Sequence, residues 1–249
     1  MERSAFIERI ASQLGRKPMT TAPVRDVRGV PDFYAAEPYG VSGAVDRVER
    51  FVEELKALGG EATIVADFAA AGSALRELLR ELSATEIVTW DRSEFGDWGI
   101  DWLWDDLAAK SWRLPAGERN ANALAELKEA ARNAHAGITL TNFAVANTGT
   151  LVHKTSAARP RSVSLLPTTH IALIRESQIV DRMGQAMESY SRWEVEDVPS
   201  SIHFISGPSR SSDIENDLTI GVHGPVAVVV IIVRDVNPHL ALMAEHKSS

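Results

Sequence analysis

The chain has no cysteine. That absence removes disulfides, thiolate nucleophiles, cysteine-ligated zinc and cysteine-held iron–sulfur clusters. Long apolar runs are missing too. The longest, Val226 to Val233, falls far short of the ~20 residues of a membrane-spanning helix. Positive charge is scarce: 26 Lys and Arg stand against 34 Asp and Glu, a formal charge of −8. No basic run is long enough to track a phosphate backbone, which argues against a nucleic-acid partner. Neither Gly-x-Gly-x-x-Gly nor a Walker pattern occurs, so a dinucleotide or ATP site has no support. The seven histidines are scattered, without a His-x-x-x-His or Glu-x-x-His helix face, and no metal site is expected. Acids in the first eight residues interrupt what would be the core of a signal peptide, so a cytoplasmic location is expected.

What is present is ordinary globular material, 45% hydrophobic and 24% charged over 249 residues. Ser4 is placed to cap a first helix carrying Phe6, Ile7, Ile10 and Leu14, with Gly15 as its stop. Residues 16–40 hold Pro18, Pro23, Pro31 and Pro38 and little periodicity, and read as an irregular arm. Residues 1–40 are therefore set apart from a single α/β domain over 41–249. Within that domain a helical stripe from Val41 to Leu58 ends at Gly59-Gly60. Ala62–Ala66 and Glu86–Trp90 read as short strands around a helix opened by Ser73. A further helix over Asn122–Ala134 stops at Gly137, and strand-like stretches follow at 138–141, 143–146, 150–153, 171–174 and 202–205. A helix between Asp181 and Trp193 separates two of them. Val226–Val233 is apolar on both faces, as a central parallel strand must be. Alternating helices and short apolar strands are the mark of βαβ units, so the fold class is α/β with a largely parallel sheet flanked by helices. Residues 91–121 break the rhythm, because five of the six tryptophans lie between Trp90 and Trp112. A packed insert is the simpler reading, and an aromatic ligand or partner surface the alternative.

Three polar segments sit at strand ends. In Ala146–Leu151, Gly149 permits close backbone approach, while Asn147, Thr148 and Thr150 offer amide and hydroxyl groups to a carboxylate or phosphate. A tight turn explains the same glycine. In Ser206–Glu215, Ser212 and Glu215 have capping-box spacing, so a helix is expected near Asp213. Gly207, Ser209, Arg210 and Ser211 would then face its N-terminus, an anion-binding arrangement with Arg210 as clamp. In Gly221–Pro225, Gly221 would cap a short preceding helix. Gly224 adjoins His223, which alone there moves protons near neutral pH and is the candidate catalytic residue. His153, His170, His203 and His223 lie in or beside strands and are candidates to converge, with His170 counted among the ligand-binding residues. A Ser209–His223–Asp213 triad can be drawn, but no nucleophile elbow accompanies it.

Four blocks together resemble a known family. They are Asn142–Val152, Leu165–Ile171, Ile205–Glu215 with its Gly-Pro-Ser-Arg and Asp-Ile-Glu, and Gly221-Val-His-Gly-Pro225. In order and spacing they are similar to the lactate-utilisation protein C (LutC/YkgG) group of the LUD-domain family. The resemblance implies a fold like that of the NagB/RpiA/CoA-transferase group. It also implies a role in oxidising L-lactate to pyruvate beside an iron–sulfur-cluster protein and a cysteine-rich-domain protein. The lack of cysteine fits that division, since any cluster is then borne by a partner and no cofactor is expected in this chain. The family usually carries an acid where this chain has Asn147. An amide neither takes a proton nor forms an acyl anhydride, so transferase chemistry is not expected.

The expected function is a subunit of a lactate-oxidation system binding a small carboxylate at these loops. Two alternatives remain: a non-catalytic assembly or regulatory module for the iron–sulfur partners, and a sugar-phosphate or CoA-ester enzyme by fold analogy.

Overall fold

The computed structural model describes residues 3–17, 46–112, 121–190, 198–212 and 218–234. The chain divides into two units, Met1–Ser42 and Gly43–Ser249. Of the first, the helix α1 (Arg3–Gln13) is described, so Ser4 lies inside the helix rather than before it. The turn closes as expected at Gly15, whose φ is +63°. The proline-bearing arm from Pro18 onward lies outside the described residues.

The second unit begins with α2 (Arg47–Ala57) and β1 (Glu61–Val65), then α3 (Phe68–Glu81) and β2 (Ile87–Thr89). A 3-10 segment over Arg92–Trp98 leads to α4 (Trp102–Asp105) and β3 (Lys110–Ser111). Next come α5 (Ala121–Asn133), β4 (Ala136–Leu140), β5 (Phe143–Val145) and β6 (Thr150–Lys154). They are followed by α6 (Ser162–Leu165), β7 (Thr169–Arg175), β8 (Ile179–Val180) and α7 (Met183–Tyr190). The last are β9 (Ile202–Ile205), β10 (Arg210–Ser212), β11 (Leu218–Ile220) and β12 (Ala227–Val233). Among the described residues no helix is long and apolar enough to cross a membrane.

Six strands form a sheet in the order β1-β12-β7-β4-β2-β3, with every pairing parallel. Successive side chains of a strand point to opposite faces, and β12 shows the result. Ile231 and Val233 enter one core with Ile171 and Leu173 of β7, Leu75 and Leu79 of α3, and the tryptophan segment. Val228, Val230 and Ile232 enter the other with Val48, Phe51 and Leu55 of α2 and with Ala144 and Leu151. That second face is covered by α2 and by a four-stranded sheet, β8-β5-β6-β9. Each aliphatic side chain so buried is worth about 1.5–3 kcal/mol. The simpler reading of the insert holds: Trp90, Trp98 and Trp112 are buried in the first core.

Several local expectations are corrected. Helix α3 starts at Phe68 because Asp67 caps it, accepting from Ala70 N at 2.7 Å; Ser73 sits inside the helix and donates to the Ala69 carbonyl. Gly137 does not stop α5 but lies within β4. There a Cβ would fall 1.9 Å from the Val163 carbonyl oxygen, so α6 crosses the sheet only because residue 137 has no side chain. The segment expected to lead into a helix near Asp213 is a strand at Arg210–Ser212, paired antiparallel with Leu218–Ile220. Ser212 is thus in a ladder, and Asp213 to Glu215 lie outside the described residues. Gly221 likewise turns the chain out of a strand instead of capping a helix.

The contact at Gly137 is testable. Gly137→Ala must push α6 off β4, and denaturant unfolding should show a loss of about 3 kcal/mol; an unchanged midpoint contradicts the packing.

Candidate functional site

The three polar loops gather at the amino ends of the six-stranded sheet. Helix α2 leads through Gly59 and Gly60 directly into β1, and its last turn is where two of them dock. Gly149, with φ +56°, turns β5 into β6. A Cβ there would lie 2.5 Å from Leu55 N and 2.7 Å from the Glu54 carbonyl carbon, so the hairpin tip meets the helix backbone to backbone. Gly207 meets Leu58 in the same way, its virtual Cβ 2.9 Å from the Leu58 oxygen. Arg210 donates from its guanidinium to the Leu58 carbonyl. It therefore places positive charge on the negative end of the α2 dipole. The expected geometry was the positive end of a helix; the described residues present the opposite end, neutralised by Arg210.

A chain of hydroxyls lies beside this joint. Thr148 donates to Thr150 Oγ1 at 2.8 Å, and Thr150 Oγ1 lies 2.8 Å from Ser206 Oγ. Asn147 is exposed, and its N–H donates to the Asp181 carbonyl at 3.2 Å. Ser209 connects the remaining loop: its N–H donates to the Pro225 carbonyl, and its carbonyl accepts from Gly221 N. Gly224 packs on it, with a virtual Cβ 3.2 Å from Ser209 Cβ. Ser211 pairs with Thr219 across β10 and β11. The structure thus joins Thr148, Gly149, Thr150, Gly207 and Arg210 around one helix end, and joins Ser209 to Gly224. His223 is exposed on the loop before β12. Asp213 lies outside the described residues.

His170 stands apart from the loops. It is wholly buried, its Nε2 2.9 Å from Thr139 Oγ1. Its ring centroid is 5.4 Å from that of His153, which in turn lies 5.3 Å from Trp90 and has Nε2 3.3 Å from Thr141 Oγ1. His203 is directly opposite His153 in the β6–β9 ladder. Three of the four histidines converge, and His223 makes no ring contact with them among the described residues. Neither His153 nor His170 has a partner for Nδ1 among the described residues. Burial drives the His170 pKa down to about 3. Burial also holds His153 well below the usual range, helped by its two histidine neighbours. Burial and the charge of Arg161 lower His203 less strongly. Period-two reading places His153 on the inner face of its strand; which rings meet depends on how the two sheets stack, and spacing holds no signal for that. No group of three or more His, Asp or Glu is placed to hold a metal among the described residues.

The first buried residue of α2 and the last of β12 also bound a family match. Residues 48–233 correspond to the LUD domain, and the chain belongs to the LUD domain family. It is 33% identical over 243 residues to lactate utilization protein C of Bacillus subtilis (strain 168), covering 94% of this chain and 96% of that one. To the protein of the same name from Geobacillus sp. (strain WCH70) it is 32% identical over 247 residues, covering 94% and 96%. The solved structure of a DUF162 family protein from Deinococcus radiodurans matches with a TM-score of 0.53 at 23% identity, over 76% of this chain and 99% of that one. That likeness shows the fold, and the family membership expected from the four sequence blocks holds.

The buried histidines set a pH dependence. Both are neutral when folded, with pKa values below the 6.5 of the unfolded chain. The unfolded state therefore binds more protons below pH 6.5, and stability falls as pH falls through that value. Urea unfolding should lose about 2 kcal/mol per histidine between pH 7 and pH 5, and His170→Asn should remove about half of that slope. A flat profile over that range would show the rings to be solvated.

Proposed function

We propose that this chain serves lactate utilisation as a subunit of an L-lactate oxidation system, acting with iron–sulfur partner proteins and binding a small carboxylate at the loop cluster. Relatives that span almost the whole chain bear the name lactate utilization protein C, which supports the process. A chain without cysteine holds no cysteine-ligated cluster, which supports a redox partner. The observation that carries the site is the convergence of Arg210 with the Thr148–Thr150–Ser206 hydroxyl chain at one helix end. A guanidinium has five N–H donors in a fixed fork. The Leu58 carbonyl takes from one, and a carboxylate would take others, beside the Ser206 hydroxyl at the end of the chain, which would donate to its second oxygen. His223, on the adjoining loop, is the residue we assign to accept the 2-hydroxyl proton.

The Arg210–Leu58 bond also favours a second reading, in which the loops only knit the fold and the chain is an assembly module. The two separate on one variant. Calorimetric titration of the full chain with L-lactate should show binding that Arg210→Ala abolishes, while stability drops by only about 0.3–1 kcal/mol from loss of the helix-end charge. Lactate binding unchanged in Arg210→Ala rejects the carboxylate site; no lactate binding by the parent chain leaves the assembly reading.

A further inference from the structure

The carboxyl end of β2 opens into a cavity of about 240 Å³ lined by Arg92, Ser93, Phe95, Ile100, Asp101 and Trp104. It lies in the tryptophan segment, which the loop cluster does not use. Its apolar floor is firm: Phe95 and Ile100 are both 2% exposed. Trp104 tilts against Phe95 at 5.5 Å and is fixed by its Nε1, which donates to Thr89 Oγ1 at 3.2 Å.

The rim is short of donors. Arg92 gives Nε and one NH2 proton to Asp101 Oδ1, at 3.0 and 2.7 Å. It gives NH1 and NH2 to the two oxygens of Asp105, at 3.0 and 3.3 Å. Ser93 donates its hydroxyl to Asp91 at 2.7 Å. What the rim still offers a visitor is acceptor capacity, the second oxygen of Asp101 and the Ser93 lone pairs. Two carboxylates against one guanidinium leave excess negative charge, and both aspartate side chains are more than half exposed. Around them, Glu94 pairs with Arg159, Asp106 with Arg76 and Asp97 with Arg175, so the uncompensated negative charge at the rim is that of Asp101 and Asp105 against the one Arg92.

An occupant must therefore be cationic, donate hydrogen bonds and present a flat body to Trp104. The same chain already makes that contact twice. Arg76 lies over Trp102 at 4.1 Å while pairing with Asp106, and Arg92 lies over Trp104 at 5.1 Å while pairing with Asp101 and Asp105. Volume narrows the class. The cavity equals about eight waters at ~30 Å³ each, enough for one long side chain but below the ~300–1,000 Å³ of a typical small-molecule site. We propose that this cavity is a docking site for a basic segment of a partner protein, one arginine of which seats against Trp104 and donates to Asp101. Arginine suits it better than lysine, because a planar fork stacks and bonds at once.

The probe is a blocked Gly-Arg-Gly-Arg-Gly peptide titrated into the full chain, with its citrulline counterpart as the neutral isostere. The readouts are the Trp104 indole N–H resonance and the upfield ring-current shift of the peptide's arginine protons. The arginine peptide should saturate both signals, the citrulline peptide should bind about fivefold more weakly or worse, and Asp101→Asn should weaken binding to a similar degree. Asp97→Asn removes the same charge from an 88%-exposed side chain outside the cavity and should leave affinity within about twofold. Should Asp101→Asn loosen the segment, Arg92→Gln serves instead: it frees both aspartates and should tighten binding. No saturable shift up to about 10 mM peptide, equal binding of the citrulline peptide, or equal weakening by Asp97→Asn overturns the proposal. Lactate titration is independent of this result, so the two readings fail separately.

Discussion

Burial of one strand on both faces is the constraint from which the second unit follows. Ala227–Val233 presents aliphatic side chains above and below the sheet, and a strand of that kind is stable only with a complete layer on each side. The two layers differ in kind. One is built from α3, α5 and the tryptophan segment; the other from α2 and a small mixed sheet. Since β12 and β7 pair in register over seven residues, their alternation stays in phase, and the two cores remain separate along the whole strand.

The last turn of α2 is the second fixed point. Segments about ninety and a hundred and fifty residues further along reach it through Gly149, Gly207 and Arg210. The first two bring backbone against backbone, which a side chain at either position would prevent. The third offsets the carbonyl end of the helix with charge. The polar composition of these loops thus has a structural use first. A ligand at Arg210 would share donors with a helix end instead of meeting an empty clamp, which sets an upper limit on how tightly a single carboxylate is held there.

How much of this was legible depended on where each signal resides. The double-faced strand was readable because its pattern is local: seven apolar residues in succession allow little else. The stripe Val48, Phe51, Leu55 was readable for the same reason, and its C-terminal Gly59 closes the helix as expected. Gly137 was misread because a glycine close after a helix suggests a stop, whereas its cause is the distant Val163 carbonyl. Ser212 lies in the ladder with Leu218–Ile220, and the helix its capping-box spacing suggests near Asp213 falls outside the described residues. The three loops were rightly singled out as polar turns at strand ends. That they sit at the amino edge of the sheet, and which end of which helix they meet, follows only from topology.

The histidine pair shows how far a fold can depart from local preference. Two ring nitrogens without partners among the described residues cost about 1–3 kcal/mol each. Burial of aliphatic side chains at about 1.5–3 kcal/mol each offsets that, and the adjoining core supplies Val228 and Leu151. The location is also specific. After β2 the chain turns to the first core, through Phe95 and Trp98; after β4 it turns to the second, through Ala144. β2 and β4 are neighbours, so the chain parts to opposite faces between them, and open α/β sheets form their crevices at such a parting. Here the crevice is closed by Trp90, His153 and the 155–161 loop, whose Pro160 carbonyl accepts from Trp90 Nε1 at 3.1 Å. His153 and His170 are both buried at this parting, and burial keeps their imidazoles neutral, so the crevice is filled by uncharged rings instead of water.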